Sequence, residues 1–322
     1  MATLWVTGAG GFVGGWLRAA AEEAGHEVVA LLGPGDPRPS GGSAVLDLVP
    51  WAVEPQEAAS ALPWDLLPAP DALIHLAAMS SPPECENRPQ LAQAVNVDGP
   101  RAFFTELFRR HPDCGLLQVS SGQVYRPAAE PLSEDEELVP VNVYGRTKLD
   151  AEAAALAFAD EGRRVTVVRP FNHSGPGQAA TFALPSFALR LAALEAAGGG
   201  TLGVGRLDAV RDFLHVREVA ATYLELVPHL GEAAVLNVCS GVGRPMQAFL
   251  DEMLAQVSAP VELEQESARL RGAADADRLV GDPTRLRGVI GRVPTLEPAT
   301  LVADLLADAR ARHERGEDLS RA

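Results

Sequence analysis

The chain has 322 residues and a mass of 33.9 kDa, with 43 acidic against 27 basic residues, a formal charge of −16, and a single lysine, Lys148, among its arginines. That balance disfavours nucleic acid and anionic lipid as partners, and no apolar run reaches the roughly 18 residues of a membrane span. Three widely spaced cysteines (Cys85, Cys114, Cys239) with no CxxC pair, behind an N-terminus Met1–Trp5 without a leader-like pattern, predict reduced thiols, a cytoplasmic protein and no metal site.

The first element is a β-branched, apolar strand, Thr3-Leu4-Trp5-Val6-Thr7. Glycines at Gly8, Gly11 and Gly14 follow it, then a helical stretch from Trp16 to Ala24, closed by Gly25. Glycines spaced this way between strand and helix make a tight turn. They let a pyrophosphate approach the backbone and aim the helix N-terminus at the anion. The pattern predicts dinucleotide binding through Gly8, Gly11, Phe12 and Val13; the alternative is a merely tight turn. A second strand, Glu27 to Leu32, ends in Leu31-Leu32-Gly33, without the acidic residue that holds a ribose 2′-hydroxyl in NAD sites. Asp36 and Arg38 lie nearby in a loop, and Arg38 is in reach of a 2′-phosphate, so the expected cofactor is NADP, or either of NADP and NAD, with NADP preferred. Asp47 and Leu48, just after a third strand, are placed to reach the adenine; the alternative is an ordinary turn aspartate. Asp71 to Leu76 is a fourth strand, and the small residues of Leu76-Ala77-Ala78 leave room for a cofactor.

Leu91 to Arg110 has helical periodicity, Gly115 to Ser120 is a strand, and Tyr144 to Asp160 is strongly helical. Arg164 to Arg169 is a strand bounded by Pro170. After it the texture changes to a polar loop, Asn172 to Gln178, a helix ended by Gly198-Gly199-Gly200, and a strand at Val235 to Val238. The last 70 or so residues read as short helices with Pro and Gly breaks. Strands alternating with helices predict an α/β, Rossmann-like, doubly wound parallel sheet with a smaller C-terminal substrate-binding lobe. The dinucleotide domain is expected over 1–170 plus about 205–240, and the lobe over about 171–204 and 241–322.

The reacting groups follow from Tyr144-Gly145-Arg146-Thr147-Lys148. Four residues apart on a helix, the tyrosine and the only lysine share a face. A free phenol titrates near 10, and an adjacent ammonium lowers that value. Lysine also has hydrogens to spare for a ribose hydroxyl, whereas arginine is a planar fork. With three tyrosines in the chain, a randomly placed lysine falls four after one of them about 1% of the time. Upstream, Ser120 or Ser121 sits at the end of the 115–120 strand, where open α/β sheets bind ligands and where a hydroxyl can polarise a carbonyl. Alternation along the strand leaves the choice between them open.

These stretches, together with His75-Leu76-Ala77-Ala78, Ser120 to Tyr125, Arg169-Pro170-Phe171-Asn172 and Arg211 to Val216, resemble the extended short-chain dehydrogenase/reductase superfamily over nearly the whole chain. The resemblance implies Ser121 as the catalytic hydroxyl, Tyr144 as acid/base and Lys148 as its electrostatic and ribose partner. Asn172-His173, Gly175 to Gln178 and Asn237 to Gly241 are most similar to its GDP-4-dehydro-6-deoxy-D-mannose reductases, which form GDP-D-rhamnose. Ser80, Gln123, Asn172, Arg211 and Arg271 are the substrate contacts expected on this basis, and a homodimer through helices 91–110 and 144–160 is implied. Three positions depart from the pattern: Val143 replaces a proline, Thr147 a serine and Arg126 a glycine. Related 4,6-dehydratases carry a Glu where this chain has Gln123, an amide that takes no proton, so dehydration is not expected. The expected reaction is NAD(P)H-dependent reduction of a nucleotide-sugar C4 ketone. The alternatives are a 4-epimerase with tightly held NAD, or a non-catalytic NADP sensor.

Overall fold

The computed structural model describes residues 1–33, 44–47, 55–60, 62–266 and 277–317. Its strands are β1 (Thr3–Thr7), β2 (Glu27–Leu32), β3 (Ala44–Asp47), β4 (Ala72–His75), β5 (Gly115–Val119), β6 (Val165–Pro170), β7 (Asn172–Ser174), β8 (Gly200–Val204), β9 (Val210–His215), β10 (Val235–Val238), β11 (Gly243–Pro245), β12 (Val261–Gln265) and β13 (Arg278–Leu279). Its helices are α1 (Phe12–Glu23), α2 (Pro55–Ser60), α3 (Pro82–Asn87), α4 (Pro89–Gln93), α5 (Gly99–Arg110), α6 (Val143–Asp160), α7 (Ala183–Ala196), α8 (Val216–Leu226), α9 (Met246–Ala255), α10 (Thr284–Ile290) and α11 (Pro298–Glu314).

The main sheet is parallel throughout, in the order β10-β6-β5-β4-β1-β2-β3. Both faces are covered, which is why its strands read as unbroken apolar runs. Leu4, Val6 and Ile74 face one side, packed with Leu17 of α1 and Val219 and Tyr223 of α8. Trp5, Leu73 and Leu116 face the other, packed with Phe103, Phe104 and Leu107 of α5. The chain reverses its direction of growth between β1 and β4, the crevice where such sheets bind ligands. A second core joins α7, α9 and α11 with residues of β8 and β9. β10 rejoins the main sheet beside β6, whereas β9 pairs with β7, β11 and β13.

Three sequence expectations are corrected. The first helix begins at Phe12, on the glycine turn itself, and not at Trp16. The helix expected over 91–110 is three pieces, α4, a π-helical turn at Ala94–Asp98, and α5. Pro100 has no N–H for the Asn96 carbonyl and its ring would press on it, so the ladder widens ahead of it: Gly99 N donates to Ala94 O, five residues back. The C-terminal region also holds one long element, α11, of 17 residues.

Candidate functional site

The glycine turn is built for a backbone-only approach. Gly8 has φ +64°, and a Cβ there would lie 3.0 Å from Ala77 N. At Gly14 a Cβ would fall 2.2 Å from Gly8 O, so the helix packs on the turn only without a side chain. No side chain caps the first turn of α1 and no acid lies in it. The amides of Phe12 and Val13 are therefore available to an anion, at the positive end of the helix. This cradle fits a dinucleotide pyrophosphate.

The opposite wall is the end of β4. Thr7 Oγ1 accepts from Leu76 N and Ala77 N, both at 3.2 Å, and bonds His75 Nδ1 at 2.8 Å. Burial pushes the His75 imidazole down to about 3, with Lys148 acting in the same direction, so it stays neutral. Leu76, Ala77 and Ala78 are half-buried along the crevice, and Ser80 is exposed just beyond. Asn96 holds this segment from behind. Its Oδ1 accepts from Met79 N at 2.7 Å, and its Nδ2 donates to Met79 O and to Thr147 Oγ1. Asn96 is 3% exposed and lies in the π-helical turn. Sequence periodicity offered no sign of it, because its partners are remote in the chain.

Tyr144 and Lys148 stand one turn apart on α6, whose N-terminus is capped by Asn142 Oδ1 from Gly145 N at 2.8 Å. Two departures from the family pattern are put to use here. Val143 N donates to Glu86 Oε1 of α3 at 2.7 Å, a bond a proline could not make. The Thr147 hydroxyl donates to Tyr144 O at 2.9 Å while accepting from Asn96. The third, Arg126, forms an exposed pair with Glu137. The structure also separates the two serines. Ser120 Oγ points at Glu152 of α6. Ser121 Oγ accepts from Gln123 N at 3.1 Å and lies close enough to the Tyr144 phenol to pull its pKa down. Ser121 is therefore the hydroxyl that meets the tyrosine.

The electrostatics differ from the sequence expectation. Burial pushes the Tyr144 phenol up to about 12; the Ser121 hydroxyl opposes this, and the nearby Cys85 adds to it. Burial likewise pushes the Lys148 ammonium down to about 8, against the pull of Glu152 and Cys85. Lys148 is 4% exposed and donates one bond, to Val119 O at 2.6 Å. The lowering expected from Lys148 does not enter: burial sets the direction, and the phenol stays protonated through the neutral range.

The expected substrate residues lie around the same strand ends. Gln123 Oε1 accepts from Asn142 Nδ2 at 3.1 Å. Asn172 begins β7, and its Oδ1 is buried without a protein partner. Arg211, 8% exposed on β9, donates to Val210 O and stands directly opposite Arg244 of β11. Arg244 was not among the residues expected from sequence. Asp212, fully buried beside Arg211, binds Ser240 N, Ser240 Oγ and Gly241 N, so two of the stretches that carry the resemblance meet in space. Asp47 is the last residue of β3 and not the first after it, with its side chain outside the description. Asp36, Arg38, Leu48 and Arg271 lie outside the described residues.

Residues 4–239 match the NAD dependent epimerase/dehydratase family. The chain is 38% identical over 317 residues, 96% of its length and 97% of the relative's, to GDP-6-deoxy-D-mannose reductase of Pseudomonas aeruginosa. It is 29% identical to GDP-6-deoxy-D-talose 4-dehydrogenase of Aggregatibacter actinomycetemcomitans, over 69% of this chain and 74% of that one. The solved structure of RMD from P. aeruginosa complexed with NADPH superposes with a TM-score of 0.81 and 30% identity, covering 97% of this chain and 98% of that one.

Proposed function

The chain belongs to the NAD dependent epimerase/dehydratase family, and from that premise we propose that it is an NAD(P)-dependent oxidoreductase reducing the C4 ketone of GDP-4-dehydro-6-deoxy-D-mannose to GDP-D-rhamnose. The observation that carries the reading is the meeting of the Ser121 and Tyr144 side chains one turn from a buried Lys148, in a chain similar along 96% of its length to a reductase of that sugar class. The nicotinamide cofactor, when bound, supplies the hydride.

The residues supply the rest. Tyr144 carries the proton that a new C4 hydroxyl requires, and burial keeps it on the phenol until an oxyanion develops. Ser121 Oγ already accepts from Gln123 N, so its own proton is free to stabilise that oxygen. Once Tyr144 has given up its proton, the Lys148 ammonium favours the phenolate left behind. Lysine has three hydrogens and only one is committed to Val119 O, leaving others for a cofactor ribose. Gln123 is an amide bonded to Asn142, which speaks against dehydration.

NADP is the cofactor this reading favours over NAD, supported by the missing acid at Leu31-Leu32-Gly33 and by the NADPH-bound relative. Gly8, Gly11, Phe12, Val13 and the 76–78 segment would hold it, in the domain spanning 1–170 and about 205–240. Asn172, Arg211 and Arg244 would take the diphosphate, at the edge of the lobe built from 171–204 and 241–322. A homodimer is favoured through α5 and α6, whose outer faces form a groove of about 640 Å³ lined by Asp150, Ala154 and Ala157 of α6 and Arg101 of α5. The three buried free thiols suit a cytoplasmic setting. The test is NADPH and NADH oxidation with a panel of 4-keto sugar nucleotides and NMR of the product. Stoichiometric NADPH consumption giving GDP-D-rhamnose is expected. Interconversion of UDP-sugars without net cofactor oxidation would overturn the reading.

A further inference from the structure

The stripe of α6 that carries Tyr144 and Lys148 continues one turn further to Glu152, which the chemistry above does not use. Its side chain is 2% exposed and fully engaged. Arg169 of β6 grips it with two bonds, Nε to Oε1 at 2.9 Å and Nη2 to Oε2 at 2.6 Å. Arg169 is itself held by Tyr125, whose hydroxyl takes Nη1 at 2.9 Å and donates to Asn237 Oδ1 at 2.7 Å. A buried pair of this kind can be a plain staple between helix and strand. Two features of its surroundings point further.

The first is Ser120, whose hydroxyl donates to Glu152 Oε1. The peptide joining Val119 to Ser120 offers its carbonyl to Lys148 Nζ, and the next residue is Ser121. Glu152 therefore steadies, through one side chain, the peptide that anchors the ammonium and the chain that carries the reacting hydroxyl. The second is charge. Lys148 is faced by Tyr144 and Glu152 from its own helix, His75 from β4 and Cys85 from α3, with Arg169 of β6 behind Glu152. His75 is kept neutral by burial, and burial also disfavours ionisation of Tyr144 and Cys85. Glu152 is the carboxylate of this set, and of the groups that raise the Lys148 pKa against burial it has the largest effect.

Resting on the assignment of Tyr144 and Lys148 as the reacting pair, we propose that Glu152 is a positioning residue: clamped by Arg169, it fixes the Ser120 end of β5 and supplies the negative charge that keeps Lys148 an ammonium inside a buried site. A helix stripe of acid, base and counter-charge, each one turn from the next, results.

The single lysine makes a direct test practical. In the full chain grown with [ε-13C]lysine, one side-chain resonance reports Lys148 alone. Removing a facing opposite charge lowers such a group's pKa by about 1 or more. In Glu152→Gln the Lys148 titration is expected to fall by that amount, and the alkaline limb of the kcat–pH profile to move to lower pH with it. Glu152→Asp, which keeps the charge, restores both at least in part. Ser120→Ala leaves the charge in place, so its Lys148 titration stays at the wild-type value while kcat drops about ten-fold at little changed KM. A folded Glu152→Gln protein with wild-type Lys148 titration overturns the proposal. Should that variant not fold, wild-type kcat in Ser120→Ala overturns it instead. The lysine resonance needs no turnover, so failure of the reductase reading, seen as full activity in Tyr144→Phe, is distinguishable from failure of this one.

Discussion

Lys148→Met should make the protein inactive and more stable. Lysine ordinarily titrates at 10.5, and burial holds Lys148 down at about 8. Below pH 8 both folded and unfolded chains carry the ammonium, and the folded one bears the full cost of burying it. At about 1.4 kcal/mol per pH unit of difference, that cost is about 3 kcal/mol at pH 7. As pH rises from 8 towards 10.5 the folded state releases its proton first, so the cost falls, to about 1.4 kcal/mol at pH 9.5. Met replaces the four-carbon stem with little change of volume. The lost bond to Val119 O returns about 1 kcal/mol, and Gln118 Nε2, 3.3 Å from the same carbonyl, softens that loss. Glu152 keeps Arg169 as its partner. Lys148→Met should therefore gain about 2 kcal/mol at pH 7 and almost nothing at pH 9.5. Urea unfolding of both proteins at several pH values measures the gap. A variant less stable than wild type at pH 7, or a gap that does not narrow with pH, would refute the reasoning.

Tyr144→Phe should lose about 10²- to 10⁴-fold in kcat while binding NADPH as before, measured by steady-state kinetics and calorimetry, because only the proton donor is removed. Ser121→Ala should lose about 10²-fold, with its Lys148 titration unchanged. Gly14→Ala should not bind NADPH or should fail to fold, since its Cβ would sit 2.2 Å from Gly8 O; normal cofactor affinity would show the turn to be laxer than described. Asn96→Ala should be destabilised by about 1–3 kcal/mol in urea and should raise the NADPH Kd, because both Met79 backbone groups lose their partner.

Much of this protein is local in origin and so was legible in the chain. The turn glycines, the Tyr144/Lys148 spacing and the β-branched runs each act over fewer than ten residues, where periodicity and sterics leave few solutions. Even the lone lysine proved informative: where arginine serves elsewhere, the position that remains lysine is one that buries a compact ammonium. Glu152 stands four residues past Lys148 in the sequence, but nothing in that spacing marked it for a task. Other features depend on residues far apart in sequence. Asn96 becomes a brace only because Met79 and Thr147 are folded against it, and the π-helical turn ahead of Pro100 breaks an otherwise helical pattern. Ser120 and Ser121 are chemically identical in the sequence. They part only when α6 sets Glu152 under one and Tyr144 beside the other. The sign of the Tyr144 perturbation was likewise a tertiary matter. Sequence reveals the ammonium one turn away, but desolvation depends on what packs around the phenol, and here it sets the direction. Which residues were the candidates was written in the order of the chain; the surroundings that set their protonation came only with the packing of the fold.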